Sequence, residues 1–138
     1  MSNLFYYEIT IMEQTRKGWN SQGIVIGYGD IETRINATVG IERNTFGYDV
    51  KTGCIYANGL VINNNCPKCD KDDVIGIGII IHSFIRFFAT VNGYLISELF
   101  EMRTKYSIVP MMTYVDSHKI KYNFGNEPFG KKNENICF

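Results

Sequence analysis

The sequence predicts an all-β protein, a bent β-sandwich of two antiparallel sheets. Apolar residues alternate with polar residues or glycines at a period of two over many short segments, and turn residues separate those segments at short spacing. No stretch sustains an apolar stripe at i, i+3, i+4 and i+7, so the helical alternative has no support.

The first element is a strand in which Phe5, Tyr7, Ile9 and Ile11 alternate with Tyr6, Glu8, Thr10 and Met12. In the second, Ile24, Ile26 and Tyr28 alternate with Val25, Gly27 and Gly29, and a later run sets Ile75, Ile77, Ile79 and Ile81 against Gly76, Gly78, Ile80 and His82. Glycine along one face of a strand predicts bending or the close approach of another layer. Shorter strands are expected in Phe46 to Tyr48, Gly53 to Ala57 and Gly59 to Ile62. Phe84 to Val91 and Tyr94 to Phe100 flank Asn92-Gly93, a pair that tolerates positive φ at both positions and so predicts a type I′ hairpin. Ile108 to Tyr114 and Lys119 to Phe124 read as a further pair joined by Val115-Asp116-Ser117-His118. In the last strand Ile120, Tyr122 and Phe124 share one parity while Lys119, Lys121 and Asn123 share the other, and Gly125 and Pro128-Phe129 follow as turn and anchor.

With 138 residues, 45% of them hydrophobic, the chain has material for one domain over 1–138 with a core of its own. Lys plus Arg and Asp plus Glu are both 14, which leaves no net field to attract a phosphate backbone or an anionic bilayer, so neither nucleic acid nor membrane is an expected partner. The longest apolar run, Val74 to Ile81, is too short to cross a bilayer, and the N-terminus lacks the features of a secretory signal. A cytoplasmic or nuclear location is expected. The four cysteines, Cys54, Cys66, Cys69 and Cys137, are then expected as free thiols. Cys66-Pro67-Lys68-Cys69 has the spacing of half a zinc site but no second ligand pair, so it reads as a polar loop and no metal is expected.

Catalytic equipment is thin. His82 and His118 are the whole stock of imidazoles, and the adjacent Asp116-Ser117-His118 would point its tips apart rather than converge them as a triad needs. A small hydrolase using His118 is the weakest of three functional readings. The glycine pairs at Gly27 and Gly29 and at Gly76 and Gly78 lack the third glycine and the helix of a dinucleotide fingerprint. No cofactor is expected. Asp72-Asp73 and Asp30-Ile31-Glu32 do not alternate as calcium loops do, Asn36-Ala37-Thr38 is only formally a glycosylation acceptor, and Trp19, the single tryptophan, lies in a polar loop-like stretch.

The ordered set Phe5-Tyr6-Tyr7-Glu8-Ile9, Ile24-Val25-Ile26-Gly27-Tyr28, Gly40 through Tyr48, Asp72 through Ile77, Phe87 through Gly93 and Asn123-Phe124-Gly125 resembles a SPRY domain. The pattern is of the type in Ran-binding-protein-M proteins of the CTLH ubiquitin-ligase complex. It runs from about Leu4 to Phe129 and leaves 130–138 as a tail. The resemblance implies a concanavalin-like sandwich whose loops bind a protein or peptide, without cofactor or catalysis, as a scaffold or substrate-recognition part of such a ligase. It implies that Tyr48 lines the pocket, that Tyr114, Val115 and Asp116 contribute from the loop near the C-terminal strand pair, and that Thr33 and Arg34 face the same side. Arg43 and Asn44 complete the candidate surface, with Arg34 or Arg43 pairing with a carboxylate. The family's usual Gly-Trp-Asp is Gly40-Ile41-Glu42 here, so the aliphatic Ile41 is expected to fill the aromatic's space. A lectin-like sugar-binding domain is the alternative reading, because such sandwiches also display aromatics and Asn or Asp on loops.

Overall fold

The computed structural model describes residues 3–13, 24–30, 39–41, 43–81, 84–97, 100–102, 108–113 and 119–130. Its strands are β1 (Asn3–Glu13), β2 (Val25–Asp30), β3 (Thr45–Asp49), β4 (Cys54–Ala57), β5 (Leu60–Asn63), β6 (Val74–Ile81), β7 (Ile85–Val91), β8 (Tyr94–Leu95), β9 (Phe100–Met102), β10 (Ile108–Thr113) and β11 (Lys119–Asn123). They form two antiparallel sheets, and no helix occurs among the described residues. Each sheet belongs to its own compact unit: 1–14, 70–103 and 118–138 form the first, and 15–69 and 104–117 the second.

The first sheet has the order β11-β1-β6-β7-β8, with β9 also on β7. Register places Tyr7 beside Ile77 and Ala89, and Ile9 beside Ile75, so one face is a continuous apolar layer. Tyr7, Ile9, Ile75, Ile77, Ile79 and Phe87 are all at most 2% exposed. Burying each such side chain contributes about 1.5–3 kcal/mol before conformational entropy is counted. The opposite face explains the glycines of β6: a Cβ on Gly76 would collide with the Tyr6 hydroxyl and Thr90, and one on Gly78 with the Phe88 ring. Tyr6 and Phe88 stack across that bare strip, with ring centroids 5.9 Å apart.

The C-terminal segment is held to this face. The Asn123 side chain accepts from the backbone N–H of Gly125 at 3.0 Å and of Glu127 at 3.3 Å, which closes the turn. Phe129 then meets Tyr6 edge to face at 4.9 Å, and the Gly130 N–H donates to the buried Glu8 carboxylate at 3.0 and 3.1 Å. The anchoring role expected for Asn123 through Phe129 is borne out.

The second sheet has the order β10-β2-β3-β4-β5. Ile26, Tyr48 and Ile55 lie side by side across three strands, as do Tyr28, Phe46 and Ala57, and all six are buried. Gly27, Gly47 and Tyr56 occupy one row of the other face.

Two sequence expectations need correction. Ile108 to Tyr114 and Lys119 to Phe124 do not pair with each other: β10 pairs with β2 in the second sheet, and β11 with β1 in the first. Pro110 suits that place, since a residue without an N–H is tolerated on a strand at a sheet edge. The Asn92-Gly93 hairpin forms with φ of 51° and 87°, but its second strand stops at Leu95. There Ser97 interrupts the ladder, its Oγ accepting the Ala89 N–H at 3.2 Å where a backbone carbonyl would otherwise serve.

Candidate functional site

The most distinctive surface among the described residues is built where residues 39–41, 43 and 44 lie on the second sheet beside the β4–β5 turn. Gly47 makes this possible, because a side chain there would strike the Val39 carbonyl, and Gly40 in turn sits against Gly47 and the Tyr56 Cβ. Gly40 has φ 90°, a conformation that favours glycine. Backbone and side-chain hydrogen bonds then fix the loop. Val39 N–H donates to Thr113 Oγ1 at 3.1 Å, and Gly40 N–H to the buried Thr45 Oγ1 at 2.8 Å. Gly59 N–H donates to the Gly40 carbonyl at 2.7 Å, Asn44 N–H to Asn58 Oδ1 at 2.6 Å, and Asp30 N–H to the Asn44 carbonyl at 3.1 Å.

Loop and turn therefore hold each other, and the described side chains they leave exposed include the apolar Ile41, the cationic Arg43 and the polar Asn58. Ile41 is 49% exposed, Leu60 70% and Val61 55%, and Arg43 is also exposed. Ile41 follows the Gly40 carbonyl that receives Gly59, and its own carbonyl lies against Gly59, so Ile41 and the start of β5 are neighbours. Ile41, expected to fill the space of the family's aromatic, is thus a half-exposed side chain at the sheet surface. The bonds on either side of it pin the backbone to the sheet and turn the side chain outward. Asn58-Gly59 is a second type I′ turn, with φ of 51° and 81°, and the Asn-Gly pair was its readable signal.

Of the residues singled out from the sequence, Arg43 and Asn44 lie in this loop, Arg43 exposed and Asn44 half-buried. Thr33, Arg34, Tyr114, Val115 and Asp116 lie outside the described residues, as do Trp19, His82 and His118. Tyr48, expected to line a pocket, is instead 0% exposed. It shares the core parity of Phe46, and its hydroxyl donates to the Pro67 carbonyl and lies 3.5 Å from Cys69 Sγ. Its role here is to anchor the loop 64–70 from inside. That loop is also tied by Cys66 N–H to the Gly53 carbonyl at 3.0 Å and by Cys69 N–H to the Val50 carbonyl at 2.8 Å. Cys54, Cys66 and Cys69 carry no disulfide, and burial, with the nearby Cys54 second, pushes the Cys66 thiol above its ordinary 9.0. No group of three or more metal-ligating side chains comes together among the described residues.

No protein-family model matches the sequence. Solved structures decide the fold: a human SPRY domain superposes with a TM-score of 0.67 at 19% identity, covering 89% of this chain and 78% of the other. The fold is that of a SPRY domain. The SPRY domain of human HERC1 matches at TM-score 0.56 and 15% identity over 92% of this chain and 80% of its own length. The PSpry domain of TRIM65 gives 0.59 at 11% identity, over 92% and 66%. In sequence, the chain is 26% identical over 125 residues to a Ran-binding protein M homolog of Arabidopsis thaliana, which agrees with the resemblance read from the motifs. The match takes in 91% of this chain but 26% of that protein, so the chain spans about a quarter of its length. The SPRY fold of this chain thus presents exposed apolar side chains beside the Asn58-Gly59 turn, with Ile41 and Val61 on the Tyr56 face of the sheet and Leu60 on the Ala57 face.

Proposed function

We propose that the chain is a non-catalytic protein-interaction module that captures a short peptide or protein surface at loop 39–44 and β5. The observation that carries this reading is the exposure of Ile41, Leu60 and Val61 on a scaffold fixed by five hydrogen bonds. Apolar side chains held rigidly in water lose little entropy on docking, which is how a small surface gains useful affinity. Arg43 supplies a charge for an acidic residue of the partner. Thr33, Arg34, Tyr114, Val115 and Asp116 extend the proposed surface, following the motif resemblance. Work as a scaffold or substrate-recognition part of a ubiquitin-ligase complex, in cytosol or nucleus, is the setting that resemblance supports.

Selection of peptides from a displayed random library against the full chain tests the surface. Binders should lose affinity for Ile41→Asp and Leu60→Asp while both variants keep the wild-type unfolding midpoint. Binders indifferent to both substitutions would move the site elsewhere.

A second reading has one observation in its favour. Tyr122 and Phe124, 41% and 59% exposed, stack at 6.0 Å with a 12° interplanar angle at the β11 edge, a flat aromatic face of the kind that suits a sugar ring. A glycan array that stays silent would remove this lectin-like alternative.

A further inference from the structure

The mode of capture follows from the edge of the second sheet, and the inference rests on the partner-binding reading above. β5 ends the strand order, so among the described strands only one of its sides is paired. In the two-residue Asn58-Gly59 hairpin, Ala57 and Leu60 form the pair that exchanges ladder bonds, which makes Tyr56 and Val61 the next, non-bonded pair. The N–H and C=O of Val61 therefore point away from β4. No other strand among the described residues reaches them.

Proteins ordinarily protect such an edge with lysine, proline or an inward charge. Here Leu60-Val61-Ile62-Asn63-Asn64-Asn65 carries no charge and no proline. The register shift opposite Ile55 and Tyr56 is the one protective device, and it limits the open edge to the residues next to the turn.

We infer that β5 receives an extended peptide strand of the partner, antiparallel or parallel to it. The peptide backbone bonds to Val61, and its side chains lie alternately against Ile41 and Val61 on one face of the sheet and against Leu60 on the other. An open backbone ladder specifies a strand as its occupant, because only an extended chain offers donors and acceptors at the matching repeat. A second copy of this chain fits less well. Four residues of bulged edge cannot approach the roughly 800 Å² per partner of a stable interface, whereas a peptide needs only a few ladder bonds and two or three side-chain contacts.

The test uses peptides selected against the full chain. Each is resynthesised with single backbone N-methyl groups along its length, which removes one donor at a time and leaves the protein untouched. Strand addition expects about tenfold or greater weakening at alternate positions only, since every second N–H faces β5. Val61→Pro, tolerable where the N–H faces outward, should weaken the same peptides to a similar extent. Peptides that need Leu60 yet ignore both N-methylation and Val61→Pro would overturn strand addition and leave the interaction surface standing. A library yielding no peptide sensitive to Leu60→Asp would overturn the surface and this mode together. A dimer of the chain that Val61→Pro dissolves would show the edge already taken by a second copy, and would also overturn the inference.

Discussion

The backbone N–H of Asn44 donates to the side-chain carbonyl of Asn58 at 2.6 Å, and both residues stand in the left-handed region, at φ 59° and 51°. Each such conformation costs on the order of 1 kcal/mol for a residue with a side chain, and asparagine is among the residues that bear it best. The bond ties the loop that carries Ile41 and Arg43 to the turn that starts β5. Asn58→Ala loses the acceptor and keeps the unfavourable φ, so a loss of about 1–2 kcal/mol is expected in urea denaturation. Asn58→Gly relieves the φ and loses only the bond, and should cost less. In both variants the Asn44 amide should exchange faster with solvent.

Gly78 is bare because Phe88 occupies the space a side chain would need, and Phe88 is itself stacked on Tyr6. Gly78→Ala should therefore lower stability by about 1–3 kcal/mol, seen as a lower thermal midpoint. Combining it with Phe88→Ala should cost less than the sum of the two single changes, since the second change empties the space the first requires.

Glu8 is 2% exposed and accepts from the Tyr6 hydroxyl at 2.8 Å as well as from Gly130. Glu8→Leu would leave both donors without that acceptor, at an expected cost of about 2–4 kcal/mol. Limited proteolysis should then cut within 124–130 sooner than in the wild type, because the segment loses its terminal anchor.

Burial holds the Tyr28 phenol well above its ordinary 10.0. Tyrosine is charged when it loses its proton, so ionisation is easier in the unfolded chain than in the folded one. The stability this represents is fully present below about pH 10 and is lost as pH rises from there toward the folded-state value. Cys66, raised for the same reason, acts with the same sign from about pH 9. Denaturation midpoints measured from neutral to strongly alkaline pH should fall above about pH 9–10, and Tyr28→Phe should flatten the upper part of that fall.

Strands were legible wherever one face met a core, because alternation such as Phe5 to Met12 and Ile75 to His82 reports burial directly. Sheet membership was not, since a period-two pattern does not name its neighbour. β10 and β11 are close in sequence yet sit in different sheets, with Pro110 as the one local hint of an edge. Tyr48, expected from the resemblance to line a pocket, shares the core parity of Phe46 and Ile26 across the register and is buried. Loop geometry was the least visible. Nothing local says that Gly40 and Gly59 bond and thereby turn Ile41 outward, and Leu60-Val61-Ile62 reads only as part of a short strand until the strand order shows it to be an edge.

Hydrogen exchange on the full chain with and without a selected peptide tests the central claim most directly, because the Val61 amide has no ladder partner among the described residues. Slowed exchange at Val61, together with its neighbours on β5 and the loop 39–44, is the expected result. Protection confined to the β11 edge around Tyr122 and Phe124, with Val61 unchanged, would contradict the account.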